Sequence, residues 1–211
     1  MNLCAVDTYG LGGYALPMDA REEAILLDQA RSGCEQSFEV LVKQNSEKMI
    51  QLAWRMVNNR SDAEEIAQEA FLRFYRSIDT FRGDSKVSTW LYRTVSRLCI
   101  DYLRREKIKR KLFFFSKPYS DYDPIEHSPS NTTPQDDLVI AREDLSHVLQ
   151  AMETLSARQR AVLTLRHQEQ LPLKEIAAIL GLSVGSVKVH LHRAVQSLRL
   201  SLDQMETSHD K

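Results

Sequence analysis

Apolar residues recur at intervals of three and four along most of the chain, the spacing that gathers them on one face of an α-helix. From Asp19 to Lys111 there is no proline, and Ile25, Leu26 and Ala30 are followed by Phe38, Leu41, Val42, Met49, Leu52, Ala53 and Met56 in this rhythm. Two helices are predicted there, the second broken at Asn58 and Asn59. A third begins at Ser61, where Ser61 and Glu64 have the spacing of a capping box, and reaches about Ser77. Residues 81–88, FRGDSKVS, hold the only glycine between Gly33 and Gly181 and read as a loop. A long helix follows from about Thr89, with an apolar stripe of Trp90, Leu91, Val95, Leu98, Cys99, Tyr102 and Leu103.

Over residues 112–135 the pattern is lost, and Pro118, Pro124, Pro129 and Pro134 stand among Ser, Asn, Asp and Thr. Proline removes a backbone donor and the acids repel one another, so an extended tether is predicted, with Phe113, Phe114 and Phe115 docking elsewhere. Helical spacing returns from about Asp136 to Glu153. Ser156 and Gln159 then form a capping box before Val162, Leu163 and Leu165. A short helix, Leu173 to Leu180, stops at Gly181. A last one, capped by Ser183 or Ser186, runs through Val187, Leu191, Ala194, Val195, Leu198 and Leu202. The first 18 residues carry no period and read as a loose tail, which makes Met18 a candidate start; residues 206–211 are a second tail. The chain is therefore expected to be all-α: two small helical domains, 19–111 and 136–205, on a flexible acidic proline-containing linker, the second a helix-turn-helix.

Composition agrees, since seven glycines and six prolines in 211 residues are roughly half of average usage and argue against turn-rich β folds. Cys4, Cys34 and Cys99 are scattered without a CxxC pair, so neither a disulfide framework nor a zinc site is signalled, and Cys34 and Cys99 read as small helix residues. No apolar run is long enough for a membrane helix and no secretory signal opens the chain, so a cytoplasmic protein is expected. A formal charge of −1 argues against a polyanionic partner until it is divided by segment: residues 97–111 carry +5 and residues 112–151 carry −5.

The sharpest motif is LPLKEIAAILGLSVGSVKVHLHRA, residues 171–194. Ala177, Gly181 and Val187 supply what a helix-turn-helix needs: a small residue where two helices cross, a glycine in the turn and an apolar anchor on the second helix. Ser186, Lys188, Val189, His190, His192 and Arg193 lie off the Val187, Leu191, Ala194 stripe and can face a DNA major groove, with Lys174 and Ser183 beside them. His190 and His192, two apart, point to different faces, unlike the paired histidines of a zinc enzyme. No nucleophile elbow, phosphate loop or metalloprotease signature is present, so no enzyme, metal or cofactor is predicted.

Two further constellations lie in the first half. In SDAEEIAQEAFLRFYRS, Ala63, Ala67, Ala70, Phe71 and Phe74 can pack inward while Asp62, Glu65, Gln68 and Glu69 share an outward stripe. An acidic stripe is no DNA face; it is either simply solvated or a docking surface for a protein. After it, Phe81, Arg82, Gly83, Asp84, Ser85 and Lys86 lead to a helix with Trp90, Tyr92, Arg93 and Arg97, combining cations for phosphates with aromatics that can stack on unpaired bases. The alternative is that Trp90 and Tyr92 are core residues and the basic run is a solvated helix end.

These motifs resemble the sigma-70 family of bacterial RNA polymerase specificity subunits, in its extracytoplasmic-function (ECF) branch. DAEEIAQEAFLRFYRSIDTFRGDSKVSTWLYRTVSRLCIDYLRR is similar to that family's region 2, and LSARQRAVLTLRHQEQLPLKEIAAILGLSVGSVKVHLHRAVQSLR to its region 4. The resemblance implies a factor that binds core RNA polymerase at the β′ coiled-coil and β flap, recognises −35 and −10 promoter DNA, assists melting, and is commonly held by an anti-sigma factor. It places Asp62, Glu65, Gln68 and Glu69 against the β′ coiled-coil. It puts Phe81 to Lys86 at a flipped −10 base, with Trp90, Arg93 and Arg97 nearby. Lys174, Ser183, Ser186, Lys188, Val189, His190, His192 and Arg193 fall at the −35 element. Similar factors often carry Arg where this chain has Val189 and His190, so its −35 sequence is not inherited from a relative. The acidic linker would thread toward the polymerase active-site and RNA-exit channel.

Two other classes share some of these features. A LuxR-type output domain has the same style of helix-turn-helix but an α/β domain upstream, and residues 19–111 show no strand pattern. An adaptor with a vestigial helix-turn-helix would support no promoter-dependent transcription.

Overall fold

The computed structural model describes residues 19–83, 85–116 and 151–209. Among them every regular element is helical: α1 (Ala20–Arg31), α2 (Glu35–Val57), α3 (Arg60–Ser77), a 3-10 turn (Ile78–Thr80), α4 (Val87–Ser116), α5 (Ala157–His167), α6 (Leu173–Leu180) and α7 (Val184–His209). The tail before Asp19, the proline-containing linker beyond Ser116 and all but the last three residues of the helix expected from Asp136 to Glu153 lie outside the described residues; those three, Ala151 to Glu153, are helical.

The ends of these helices follow local chemistry. Asp19 starts α1 through a capping box, its carboxylate accepting from Arg21 and Glu22 while Glu22 reaches back to its amide. Ser156 and Gln159 form the box predicted for α5. The start of α3 differs from expectation: Asn59 is the cap, accepting from the Asp62 amide, because Glu64 is taken up by Arg60 at 2.9 Å. Ser183 caps α7, its hydroxyl accepting from the Ser186 amide at 3.1 Å. The helix α4 continues through Leu112 to Ser116, five residues into the stretch read as tether.

Gly181 ends α6 with a φ of +64°, and the Leu182 amide closes back onto the Ala177 carbonyl at 2.9 Å. A Cβ here would meet nothing within 4 Å, so only the left-handed backbone requires glycine. Gly181→Ala should lower stability by roughly 1–2 kcal/mol, read from the midpoint of urea unfolding.

The first four helices pack around α2, which touches α1, α3 and α4. Leu41, Met49, Leu52, Met56, Phe74, Leu91 and Val95 fill the space between them and are fully buried. The second unit is the trio α5, α6 and α7, anchored by Val162, Leu165, Ile176 and Val187. Spacing along the chain says nothing of how these two groups meet: α5 packs on α2 and α4, α6 packs on α4, and one continuous apolar core runs through both.

Polar contacts seal this joint. Arg160, 5% exposed, donates from Nη1 to the Met56 carbonyl at 2.7 Å. That carbonyl is one of the last of α2 and has no partner within the helix, so the guanidinium caps the negative end of the α2 dipole. Burial pulls the Arg160 pKa below its usual value, and its Nε has no hydrogen-bond partner. The Tyr92 hydroxyl donates to Glu169, and Asn58 donates to Glu153 at 3.3 Å. Cys99 is buried and free, its thiol pKa pushed up by burial, as a small core residue would be. Cys34 stands just before α2, its side chain making no capping bond to the helix, and is disulfide-bonded, against the reading of it as a small helix residue.

Candidate nucleic-acid and protein interfaces

On α3 the inward residues are those the spacing predicts, Ala63, Ala67, Ala70 and Phe74, with Ile66 added and Phe71 only half-buried. The outward acids do not form one uniform stripe. Glu65 and Gln68 are exposed, and Glu69 is half-exposed and paired with Arg73 at 2.7 Å. Asp62 is set apart: it accepts from the Tyr102 hydroxyl at 2.7 Å and ties α3 to α4. Burial raises the Tyr102 pKa, and the Asp62 carboxylate adds to that rise. Leu72, 51% exposed one turn beyond Gln68, extends the face with an apolar position.

The loop after α3 borders a cavity of about 310 Å³ lined by Ser77, Thr80, Phe81, Arg82, Ser85, Trp90 and Arg93. Arg82 and Lys86 are exposed, Arg93 is exposed on the first turns of α4, and Arg97 follows one turn later. Trp90 serves two purposes: half-buried, it packs with its ring centroid 5.4 Å from that of Phe74 while another part of it lines the cavity. Phe81 stands edge-on to Phe74 at 5.6 Å. Tyr92 is the core residue of the two aromatics, buried at the joint with the second unit, where burial raises its pKa. Gly83 adopts a φ of +77°, which turns the loop. Asp84 lies outside the described residues.

Two side chains of α1, neither singled out by sequence spacing, reach this loop. Arg31 donates from Nε to the Ile78 carbonyl at 3.2 Å and from Nη2 to the Phe81 carbonyl. Glu23 accepts the Val87 amide at 3.0 Å.

On α7, Val187 and Ala194 are buried and Leu191 half-buried, which leaves Lys188, Val189, His192 and Arg193 exposed and Ser186 and His190 at the margin. Lys174 on α6 and Ser183 in the turn are exposed beside them. Arg158, at the start of α5, comes close enough to His190 to act on its charge. Desolvation first, then Arg158 and Arg193, hold the His190 pKa below its usual value. Its imidazole is therefore neutral near pH 7, a donor and acceptor among cations rather than one of them. Sequence spacing missed Arg158 because 32 residues separate it from His190; no local pattern reports such a meeting.

Among the described residues no group of His, Cys, Asp and Glu could hold a metal ion, and no helix is long and apolar enough to cross a membrane.

Comparison with known proteins bears on the same two parts of the chain. The family model for sigma-70 region 2 matches residues 41–108, and that for sigma-70 region 4 matches residues 146–198. The ECF RNA polymerase sigma factor SigW of Bacillus subtilis (strain 168) is 34% identical over 176 residues, covering 83% of this chain and 94% of that protein. The ECF RNA polymerase sigma-E factor of Escherichia coli (strain K12) is 30% identical over 183 residues, 83% of this chain and 92% of that one. Among solved structures, CnrH in complex with the cytosolic domain of CnrY superposes with a TM-score of 0.60 at 25% identity, covering 88% of this chain and 99% of that one. The sigma factor RpoE of Bartonella quintana, in complex with the anti-sigma factor NepR, shares the fold with a TM-score of 0.57 at 20% identity, covering 80% and 98%. With both regions matched in order and relatives at 30% identity or more covered over nearly their whole length, the chain belongs to the ECF branch of the sigma-70 family, the RNA polymerase sigma factors that direct promoter-specific transcription initiation.

Proposed function

We propose that three faces of this factor divide the work of initiation. The exposed acids of α3, Glu65 and Glu69 with Gln68, dock on the β′ coiled-coil of core RNA polymerase, and Asp62 holds that helix in place from the side. The loop Phe81–Lys86 and the cavity behind it receive an unstacked base of the −10 element, with Arg82, Lys86, Arg93 and Arg97 on the phosphates and Trp90 as the stacking wall. The outer face of α7, with Ser186, Lys188, Val189, His190, His192 and Arg193, reads and grips the −35 element, while Lys174, Ser183 and Arg158 contact its flanks. The second unit also meets the β flap. The factor works in the cytoplasm, catalyses no reaction itself, and has an anti-sigma factor as its controlling partner.

The observation that carries this reading is the cavity beside the loop, because it combines what single-stranded DNA requires. Arginines and an aromatic wall converge on about 310 Å³ of open space, behind a loop whose cations are exposed. The promoter is first obtained by mapping transcript 5′ ends after overexpression. Holoenzyme is then titrated with the non-template strand of its −10 segment. Trp90→Ala and Arg82→Ala should each weaken binding by roughly 5- to 100-fold, the range that one stacked base or one phosphate contact spans. Unchanged binding in both variants would remove the loop from the DNA interface.

A further inference from the structure

We propose that α1 is a brace for the strand-capturing loop, with Glu23 and Arg31 as positioning residues that hold its two ends. The proposal rests on the reading of Phe81–Lys86 as the −10 strand site and adds residues that lie upstream of the matched sigma region 2, residues 41–108.

The argument begins with helical spacing. Glu23, Leu26, Leu27, Ala30 and Arg31 fall at i, i+3, i+4, i+7 and i+8, so the two charged residues stand at the ends of the stripe that α1 buries. Leu26 and Leu27 are 4% exposed each. Charged side chains on a buried stripe need partners, and both find them on the loop.

Arg31 takes the entrance. Its guanidinium bridges the carbonyls of Ile78 and Phe81, the first residue of the 3-10 turn and the first of the loop, while Nη1 is fixed by Asp28 at 2.7 Å. Glu23 takes the exit. The first intrahelical bond of α4 runs from the Trp90 amide to the Lys86 carbonyl, so the Val87 amide is an orphan donor at the positive end of the helix. Glu23 supplies an acceptor at 3.0 Å from a helix 64 residues earlier in the chain. The eight residue steps from Glu23 to Arg31 span about 12 Å of rigid helix, a fixed ruler across the loop mouth. Of the residues that wall the cavity, Phe81 is itself held at one clamp and Trp90 lies one turn beyond the other, on the helix that Val87 begins.

A loop held at both ends spends little conformational entropy on closing around a base. Without the clamps the cavity residues remain, and the ordering cost falls on DNA binding. Neither Glu23 nor Arg31 lines the cavity, so the effect must pass through loop position.

The test uses holoenzyme with the mapped non-template −10 strand, and measures affinity for core polymerase and for a −35 duplex in parallel. Glu23→Ala and Arg31→Met should each weaken single-strand binding roughly tenfold, with core and −35 affinities unchanged. Glu23→Gln, which keeps the acceptor oxygen, should restore most of the loss. Arg31→Lys, which cannot bridge two carbonyls, should restore little. The brace is overturned if strand binding is unaltered in both while Arg82→Ala lowers it. It is equally overturned if core and −35 affinities fall in step, since that marks a general loss of folding. If Arg82→Ala and Trp90→Ala also leave strand binding unaltered, the reading of the loop itself fails.

Discussion

Reversing two charges on the outer face of α3, Glu65→Lys with Glu69→Lys, should lower affinity for core polymerase by roughly a hundredfold. Both residues present carboxylates to solvent, and the two lie one turn apart on the same face. Placing ammonium groups opposite a cationic partner turns attraction into repulsion, and the cost of like charges brought together is several kcal/mol. Glu69 now pairs with Arg73, so its replacement also frees a second cation at the interface and adds to the effect. Folding should be spared, because exposed helix ion pairs of this kind are worth only about 0.3–0.5 kcal/mol. The matched control is Glu39→Lys with Glu47→Lys, two exposed acids on α2 that change net charge equally. Retained core binding in the α3 variant, or an equal loss in the α2 control, would show that this face is merely solvated.

Phe74→Ala should produce the largest loss of stability of any single substitution in the first unit, about 3–5 kcal/mol. Phe74 is 1% exposed and sits among three aromatic neighbours, Phe38, Phe81 and Trp90, with ring centroids 5.4 to 6.1 Å away. Removing the ring forfeits the burial of its surface and leaves a hole that helices on several sides must partly collapse to fill. Such a loss is a large share of the 5–15 kcal/mol that holds an ordinary domain together. Two of the rings that lose their support, Phe81 and Trp90, line the cavity, so surviving folded protein should also bind single strands poorly. Urea unfolding reads the first effect and strand titration the second. Phe74→Leu, which keeps most of the volume, should recover much of both; a loss below about 1 kcal/mol for the alanine variant would show that the rings do not depend on one another.

Much of this was legible in the sequence, for reasons that are local. The spacing of Ala63, Ala67, Ala70 and Phe74 reports which face of α3 is buried, and the structure buries those residues. Gly181 reports the end of α6, since its left-handed φ is a property of one residue and its neighbours. What the sequence could not report are meetings between distant segments. Asp62 belongs to an acidic face by spacing and to Tyr102 by geometry. Arg158 and His190 meet because α5 packs on α7. The joint between the two units was missed for the same reason. Tyr92 fits an aromatic-and-basic motif as well as it fits a core, and its hydroxyl partner, Glu169, lies 77 residues away. Arg160 carries one signal in principle: it is a charged residue directly before the mostly apolar run Ala161 to Leu165. Spacing alone cannot say that its partner is the Met56 carbonyl.

The bond from Arg160 to the end of α2 exists only while the two units are packed together, so it weights the protein against any form in which they part. A ligand that needs the two units apart meets only the separated fraction, and its apparent affinity is reduced by that fraction. Each 1.4 kcal/mol by which the closed form is favoured lowers that affinity tenfold. A partner that recognises the closed form gains by the same factor, so the strength of one joint sets the balance between two competing sets of ligands.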